Sequence, residues 1–173
     1  FNINPILIEF IKSGVLFSNI SIKSSITVNS NNKKEIFHNA KINLNIVNGN
    51  FNLNGTTFTN HNIGFFELSN SNLFLKNNNL ILNTNILFKI KNSDSLFSFL
   101  NTSKKSRKTI KNILINLNYD YLSNEIKFNN VKIDNNDVSD QFLNIIEGFN
   151  DNNLNNLIKS KRLINKLLSI YEG

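Results

Sequence analysis

Alternation of apolar and polar residues is the feature that most constrains what this chain can fold into. The alternation recurs from Ile20 to Ile133, and its cleanest stretch is Ile42-Asn43-Leu44-Asn45-Ile46. In an extended strand, a period of two places the apolar side chains on one face and the amides on the other. Most of these segments follow one another without a helical segment between them. The apolar face must therefore be covered by more sheet or filled by something else.

Asparagine occupies most of the polar positions, and we interpret its abundance as the base composition of an AT-rich genome. A prion-like tract would have long amide runs with few aliphatic residues. Here the longest run is Asn77-Asn78-Asn79, and apolar residues recur at regular positions. The 173 residues suffice for one domain with a buried core. Because the chain begins at Phe1 rather than Met, we expect it to be a piece of a longer protein.

The charge of the chain favours anionic partners, because the net charge is +7 and the isoelectric point is about 9.6. A basic stretch is the candidate contact with an anionic surface such as lipid headgroups, with plain solubility as the alternative role, and it comprises Lys104, Lys105, Arg107, Lys108 and Lys111. No aromatic residues are interleaved there to stack bases, so nucleic-acid binding is not predicted. The sequence contains no run of 18 apolar residues, and a membrane-spanning helix is not predicted.

The alternation predicts a mainly β fold over residues 1–134, either a curved antiparallel sheet or an open β-groove. The candidate strands are Ile20–Val28, Ile36–Val47, Asn50–Leu53, Phe65–Leu68, Asn72–Lys76, Leu80–Ile90, Asn112–Leu122 and Glu125–Ile133. Asn and Gly join them, and both tolerate the positive φ that tight turns require. A hairpin at Asn48-Gly49, preferred over a glycine bulge, would place Ile46 opposite Phe51. The same hairpin would place Leu44 opposite Leu53.

The last hairpin has the clearest pattern. One face of its first strand carries Ile113, Ile115, Leu117, Tyr119 and Tyr121. Ile126 and Phe128 can pair back onto that face. At Asn129-Asn130 the apolar residues change from even to odd positions, so that Val131 and Ile133 become the inward pair. Such a change predicts a β-bulge, which curves a sheet.

Helical patterns occur at two places. A short inserted helix is predicted near residues 93–101, capped by Ser93 or Asp94, with Leu96, Phe97 and Leu100 as its apolar stripe. Residues 135–173 form a C-terminal helical tail of two amphipathic helices, Asp137–Phe149 and Asp151–Tyr171. We expect these helices to pack on the end of the sheet. The alternative is that the second helix lies on a membrane surface.

Residues that carry catalytic or metal chemistry are scarce. His38 and His61 are far apart in the sequence, no cysteine accompanies them, and we expect both on the surface. The acidic positions Asp134, Asp137 and Asp140 do not fit a calcium-binding loop, and helix capping by Asp137, Ser139 or Asp140 accounts for the cluster better. No nucleotide-binding or nucleophile motif occurs. An enzyme, a metal site and a cofactor are therefore not predicted.

The closing hairpin resembles the C-terminal regions of the AsmA-like family. The resemblance is carried by Leu117-Asn118-Tyr119-Asp120-Tyr121 and by residues 124–134, and it covers about residues 20–134. The short amphipathic strands around Leu73 and Leu82 are similar, as are the two terminal helices. The resemblance implies no catalytic residues. It implies a bridge-like lipid transfer protein of the Gram-negative envelope, related to TamB, with a hydrophobic groove in the periplasm.

What this resemblance implies for function is the binding of phospholipid acyl chains for intermembrane lipid transport and outer-membrane biogenesis and maintenance. Such a protein is anchored to the inner membrane through an N-terminal segment that this chain lacks, and its ends contact membrane surfaces. A further periplasmic or outer-membrane protein partner would be unidentified. Chemically, acyl chains would replace a missing second sheet on the apolar face.

Two hypotheses follow for that face. In the first, it is a lipid groove, and the predicted groove residues are Ile42, Leu44, Ile46, Phe51, Leu53, Leu73, Leu75, Leu82, Phe88, Ile115, Leu117, Ile126 and Phe128. In the second, two sheets close into a β-sandwich that serves as a binding or adhesin-like surface module, and the same residues form an ordinary core.

Overall fold

The computed structural model describes residues 21–30, 36–48, 50–77, 79–123, 125–147 and 157–171, together with Glu9. The strands are β1 (Ser21–Asn29), β2 (Asn39–Val47), β3 (Asn50–Asn52), β4 (Thr57–Asn60), β5 (Gly64–Lys76), β6 (Asn79–Ile90), β7 (Asn112–Asp120), β8 (Glu125–Ile133) and β9 (Asn136–Asp137). The helices are α1 (Ser93–Phe99), α2 (Asp140–Glu147) and α3 (Leu157–Ile170), and one turn of 3-10 helix spans Lys104–Ser106.

The strands form one antiparallel sheet of nine strands in the order β1-β2-β3-β5-β6-β7-β8-β9. β4 pairs with both β2 and β5, so β3 and β4 together act as one interrupted strand between those two neighbours. The sheet is curved and is not closed into a barrel. The prediction of a mainly β fold with a curved antiparallel sheet is confirmed. The described strands all belong to this one sheet, whereas the closed β-sandwich alternative requires two sheets.

Cross-strand pairing places the apolar side chains on one face from β1 to β8. At one end of the sheet Ile46 lies opposite Phe51, and Leu73 lies opposite Leu82. At the other end Phe88 lies between Phe66 on β5 and Ile113 on β7. The opposite face carries most of the amides, together with apolar side chains such as Phe65, Leu87 and Leu114. Because pleating alternates along every strand, the register alone produces an apolar face as wide as the sheet.

Three irregularities lie at the same level of the sheet and form what we call the fold line. β5 has a register shift between Ser69 and Asn72, and β8 has one beside Asn116. Between β3 and β4, Gly55 has a φ of 74° and its N–H donates to the carbonyl of Leu68. Bulges bend a strand and increase its twist. Their alignment across neighbouring strands accounts for the curvature of the whole sheet.

Asparagine side chains bridge the strands along the fold line on the polar face. Asn116 Nδ2 donates to Asn85 Oδ1 at 2.6 Å, and Asn129 Nδ2 donates to Asn116 Oδ1 at 2.7 Å. One pair further along, Asn83 Nδ2 donates to Asn118 Oδ1 at 2.6 Å. These amides connect β6, β7 and β8 where the backbone ladder is irregular. Cross-strand pairs of this kind stabilise a sheet.

The apolar face carries two separate cores. At the helix end, Phe88, Ile113, Val131 and Ile133 of the sheet pack with residues of all the described helices. At the hairpin end, the core consists of Ile46, Phe51, Leu73, Leu80 and Leu82, with Leu44, Leu53, Leu75, Tyr119 and Tyr121 packed against it. Thr84 lies between the two cores and is 1% exposed. Its hydroxyl is within 3.4 Å of the Ser69 carbonyl, at the fold line.

The inserted helix α1 begins after Asn92, whose side chain accepts a hydrogen bond from the Ser95 N–H at 2.9 Å. The prediction that Ser93 or Asp94 caps this helix is therefore wrong. Ser93 Oγ instead donates to the Ile110 carbonyl and accepts from the Ile110 N–H, which holds the following loop against the helix. The predicted stripe of Leu96, Phe97 and Leu100 is buried, as expected.

Asp134 and Asp137, the first two acidic residues after β8, form a turn contact and an ion pair rather than helix caps. Asp134 has a φ of 49°, and its Oδ1 accepts hydrogen bonds from the N–H groups of Lys111 and Asn112 at 2.8 Å. Asp137 lies in β9 and forms an ion pair with Lys132 at 3.3 Å. Capping by Asp137 is therefore wrong. Ser139 Oγ approaches the Phe142 N–H at 3.4 Å at the start of α2.

The C-terminal helices pack on the apolar face through Phe142, Ile146, Leu167 and Leu168, all of them buried. The helical pattern after Asp134 is confirmed, although α2 begins at Asp140 because β9 takes the preceding residues. The predicted cap at Asp151 lies outside the described residues. Tail and sheet share one core at the helix end.

The strand predictions differ from the structure mainly around the fold line. β5 continues through Asn70, which adopts a φ of 48°, so the two predicted segments Phe65–Leu68 and Asn72–Lys76 are one strand. The hairpin at Asn48 is confirmed, with Ile46 opposite Phe51. Pairing of Leu44 with Leu53 is wrong, because the register ends at Asn52 and the Leu53 N–H donates to Ser71 Oγ. The predicted bulge of the last hairpin is confirmed.

Candidate functional site

The predicted groove residues all belong to the apolar face, but they differ in exposure. Those that are buried are Ile46, Phe51, Leu73, Leu82, Phe88 and Leu117. Those that are partly buried are Leu44, Leu53, Leu75, Ile115, Ile126 and Phe128, and Ile42 is exposed. Most of the set therefore fills the two cores. Phe88, Ile115 and Phe128 line cavities, which makes the helix end the candidate site.

The main cavity lies between the sheet and the helices α1 and α3, and its volume is about 480 Å³. Its floor is formed by sheet residues and its roof by helix residues. The lining residues are Ile36, Phe37, Asn60, Ile63, Gly64, Phe66, Phe88, Leu96, Phe99, Leu100, Ile113, Ile115, Ser160, Lys161, Ile164 and Leu168. This volume lies within the range of roughly 300–1,000 Å³ that small-molecule sites occupy.

A second, smaller cavity of about 200 Å³ lies against α3 and extends toward α2. The two cavities share Ile113, Ile115, Ser160, Ile164 and Leu168, so α3 and the middle of β7 separate them. A straight helix cannot follow a curved sheet along its whole width. The two spaces beside α3 are the consequence.

Aromatic rings form one wall of the main cavity. Phe66 stacks on Phe88 with ring centroids 4.1 Å apart, and Phe37 meets Phe66 edge-on at 5.6 Å. Phe37 also contacts Phe58, at 5.4 Å. Gly64 borders the same space, and an added Cβ there would lie 2.0 Å from the Lys89 carbonyl oxygen. The wall is thus wide, apolar and fixed by close backbone packing.

Among the described residues, three polar side chains line the main cavity. Asn60 has its bonding capacity engaged, because Nδ2 donates to the Ile36 carbonyl at 2.7 Å and Oδ1 accepts from the Asn62 and Ile63 N–H groups. Ser160 Oγ is buried and has no hydrogen-bond partner. Lys161 Nζ lies 3.6 Å from the centroid of the Phe99 ring, a cation–π contact.

The predicted anionic-surface residues lie in the loop that follows α1. Lys104, Lys105 and Lys111 are exposed, and Arg107 forms a long ion pair with Asp94 at 3.8 Å. The loop also joins α3, because Thr102 Oγ1 donates to Asn165 Oδ1 at 2.7 Å and Lys108 Nζ lies 5.9 Å from the Tyr171 ring. The basic loop and the basic residues of α3 therefore belong to one side of the molecule.

The two histidines, which are far apart in the sequence, are brought together by the fold. Their rings stack with centroids 4.9 Å apart, and the His61 N–H donates to His38 Nδ1 at 3.2 Å. Pairing of β2 with β4 is the cause, because Asn39 lies opposite Thr59. Across the part of the chain that the structure describes, no group of three or more His, Asp or Glu side chains could hold a metal ion.

Two titratable groups at the hairpin end have shifted pKa values. Burial, with a smaller contribution from Tyr119, raises the pKa of Tyr121. Burial also tends to raise the pKa of Asp120, but hydrogen bonds from Asn79, Ser123 and Leu122 together outweigh it and lower that pKa below its ordinary value. Asp120 closes the turn after β7, so its carboxylate stabilises a turn rather than a reaction centre.

Apolar side chains of the edge strand β1 are exposed. Ile22 is 44% exposed, Ile26 is 63% exposed and Val28 is 52% exposed. Ile42, opposite Ile26 on β2, continues this exposed surface. Among the described helices, none is long and apolar enough to cross a membrane.

Sequence reasoning missed the helix side of the cavity. Ser160 and Lys161 lie on α3, where the pattern Lys-Ser-Lys-Arg indicates a solvent-facing surface. Nothing in this pattern indicated that Ser160 or Lys161 would line a cavity. Phe66 and Phe37 were available as apolar residues on predicted strands. Their place in the cavity wall follows from the pairing of β4 with β2 and β5, and this pairing cannot be recognised in the sequence.

Comparisons with protein-family models, with curated protein sequences and with solved structures find no match to this chain. The resemblance to AsmA-like C-terminal regions therefore stays a prediction.

Proposed function

We propose that this chain binds lipid acyl chains on the apolar face of its curved sheet. In this proposal the main cavity beside α3 is the principal binding space. The exposed apolar surface of Ile22, Ile26 and Ile42 extends the same face toward the β1 edge. The observation that carries the proposal is that the described helices cover one end of a continuous apolar face and leave a cavity of about 480 Å³ beneath them.

The energetics favour an acyl chain over water in this space. A methylene group that leaves water for an apolar environment contributes about 0.8 kcal/mol. The walls consist of aliphatic and aromatic side chains such as Phe88, Ile113 and Ile115. Ordered water in the cavity would need several polar partners, and the walls offer few. A flexible apolar chain is therefore the ligand that suits the cavity best.

The setting that we propose is lipid transport between the membranes of a Gram-negative envelope, with the chain as the C-terminal part of an AsmA-like protein. This part of the proposal is supported by the sequence resemblance of the closing hairpin. The basic loop with Lys104, Lys105 and Lys111 suits contact with anionic headgroups, because each basic residue near such a surface contributes about 1 kcal/mol. Passive partition, rather than chemistry, would move the lipid.

The experiment is a measurement of phospholipid retained by the purified chain and by two variants. Ile115→Trp places a large side chain where both cavities meet, whereas Leu114→Trp places the same side chain on the opposite face. We expect the molar ratio of lipid to protein, measured by mass spectrometry of extracts, to fall several-fold in Ile115→Trp. Leu114→Trp should retain the wild-type ratio.

Circular dichroism of both variants controls for folding. Equal lipid ratios in the two folded variants, or no lipid on the wild-type chain after incubation with phospholipid vesicles, would contradict the proposal.

A further inference from the structure

The main cavity contains two polar groups that an apolar chain does not satisfy. Ser160 Oγ is buried without a hydrogen-bond partner. Lys161 Nζ contacts the Phe99 ring but forms no hydrogen bond or ion pair with any described residue. Leaving a buried donor unsatisfied costs about 1–3 kcal/mol. The two groups are adjacent on α3, and both line the same cavity.

Both groups are donors, and the helix that carries them is basic. In the helix Leu157–Ile170 the charged residues are Lys159, Lys161, Arg162 and Lys166, with no acidic residue among them. The remaining polar group in the cavity, Asn60, is already engaged. A ligand group that accepts from a hydroxyl and also carries negative charge would satisfy both free donors.

We propose that the main cavity binds a lipid with a single acyl chain and an anionic headgroup. The headgroup accepts a hydrogen bond from the Ser160 hydroxyl and forms an ion pair with Lys161. The inference rests on the proposed function and narrows its ligand class. A carboxylate of a fatty acid and a phosphate of a lysophospholipid share this chemistry. The chain would lie along Phe66, Phe88 and Ile115, and the headgroup would lie under α3.

The volumes favour one chain over two. The main cavity, at about 480 Å³, falls within the range of small-molecule sites, whereas the second, at about 200 Å³, falls below it. Ser160 and Ile164 stand between the two spaces. A two-chain phospholipid would therefore place only one of its chains in the main cavity and leave the other on the apolar face outside it, so it should bind more weakly than a one-chain lipid.

The test is isothermal titration calorimetry of the whole chain with ligands that share one 16-carbon chain, each below its micelle concentration. Palmitate carries a carboxylate, lysophosphatidate carries a phosphate and hexadecanol is neutral. We expect at least one anionic ligand to bind about tenfold or more tightly than hexadecanol, because charge-assisted hydrogen bonds are the stronger ones. The tighter of the two anions identifies the source of the headgroup.

Lys161→Met removes the charge while keeping the apolar stem, and we expect about a tenfold loss for the anionic ligand with no change for hexadecanol. Lys166→Met is the matched control, because Lys166 is exposed on the same helix and does not line the cavity. It should leave both affinities unchanged. Equal losses of affinity in the two variants would show that the anionic ligand is attracted by the overall positive charge of the helix rather than by Lys161, and would overturn the inference.

Other outcomes also decide. Equal affinity for anionic and neutral chains, or displacement of palmitate by dipalmitoyl phosphatidate with equal affinity, overturns this inference and leaves the proposed function standing. Absence of binding by any single-chain ligand overturns it as well. The proposed function is judged separately, by the phospholipid retained in the Ile115→Trp and Leu114→Trp comparison.

Discussion

The helix end and the hairpin end of the sheet are built from the same strands, yet they close their apolar surface differently. At the hairpin end, the described core residues all belong to strands or follow one directly, and Leu80 and Phe51 are 1% and 3% exposed. At the helix end, α1, α2 and α3 complete the core, and both cavities described above lie there. Strands that curve around their own side chains pack closely, whereas helices laid on a curved sheet leave space beside them.

The largest expected effects come from the buried side chains of the two ends. Phe97→Ala at the helix end should lower the free energy of unfolding by about 3–5 kcal/mol, and Leu80→Ala at the hairpin end by about 2–5 kcal/mol. Both side chains are nearly fully buried. Urea denaturation followed by circular dichroism measures both. A loss below 1 kcal/mol at either position would show that this end is not packed as described.

The next effect tests the wall of the main cavity. Gly64 has a φ of 151°, and an added Cβ would lie 2.0 Å from a backbone oxygen of β6, so Gly64→Ala should cost about 3 kcal/mol or more. Gly55 is the matched control. Its φ is 74°, and its Cβ would meet only the Asn43 side chain, at 3.0 Å, so Gly55→Ala should cost about 1–2 kcal/mol. Equal costs would contradict the close approach of β5 and β6 at Gly64.

A smaller effect is expected at the fold line that separates the two ends. Asn116→Ala removes hydrogen bonds to Asn85 and from Asn129, so it should cost about 1–3 kcal/mol. Asn130→Ala changes the same residue type at an exposed position nearby and should cost less than about 0.5 kcal/mol. Thermal unfolding of both variants measures the difference. An equally small effect of the two would mean that the amide ladder does not hold the bend.

Removal of the unpaired hydroxyl at the helix end should stabilise the chain. Ser160→Ala deletes a buried oxygen without a partner, and we expect a gain of about 1 kcal/mol in the absence of ligand. Ser169→Ala on the same helix deletes an exposed hydroxyl that donates to the Lys166 carbonyl at 2.7 Å, and it should bring no such gain. Urea midpoints of both variants give the comparison. Destabilisation by Ser160→Ala would show that the hydroxyl is satisfied.

The smallest effect is a pH dependence at the hairpin end. The pKa of Asp120 is lowered in the folded chain, so its carboxylate adds stability above the unfolded pKa of about 3.9, and this stability is lost as the pH falls through the folded value. Asp120→Asn should flatten the stability profile in the acidic range below about pH 5. Thermal midpoints across this range measure the profile. An unchanged slope in the variant would show that Asp120 does not cause the pH dependence of stability.

The sequence predicted the apolar face better than it predicted how the face is closed. Alternation placed Leu44, Leu82 and Ile115 on one side, because the pleat of a strand is a local property. The alternation did not predict that β5 continues through Ser69-Asn70-Ser71-Asn72. Asn70 adopts a positive φ, and in a sequence an asparagine of this kind is as typical of a loop as of a β-bulge within a strand. The β-bulge at Asn129 was predictable, since apolar parity changes there.

The candidate site depends on contacts that no local pattern encodes. His38 and His61 meet because β4 pairs with β2, and β4 is too short to be recognised from Thr57-Phe58-Thr59-Asn60. Ser160 borders the cavity only because α3 docks over Ile113 and Ile115. The helix pattern predicted an amphipathic segment, but not where it would lie on the sheet.

The most direct test of the central claim, that acyl chains bind the apolar face, is crosslinking of the wild-type chain with a phospholipid that carries a diazirine on its acyl chain. Mass spectrometry of the digested protein then locates the adducts. Neighbours on opposite faces serve as internal controls, namely Phe65 and Phe66, Leu87 and Phe88, and Leu114 and Ile115. We expect adducts on Phe66, Phe88 and Ile115. Equal labelling of Phe65, Leu87 and Leu114 would contradict the claim.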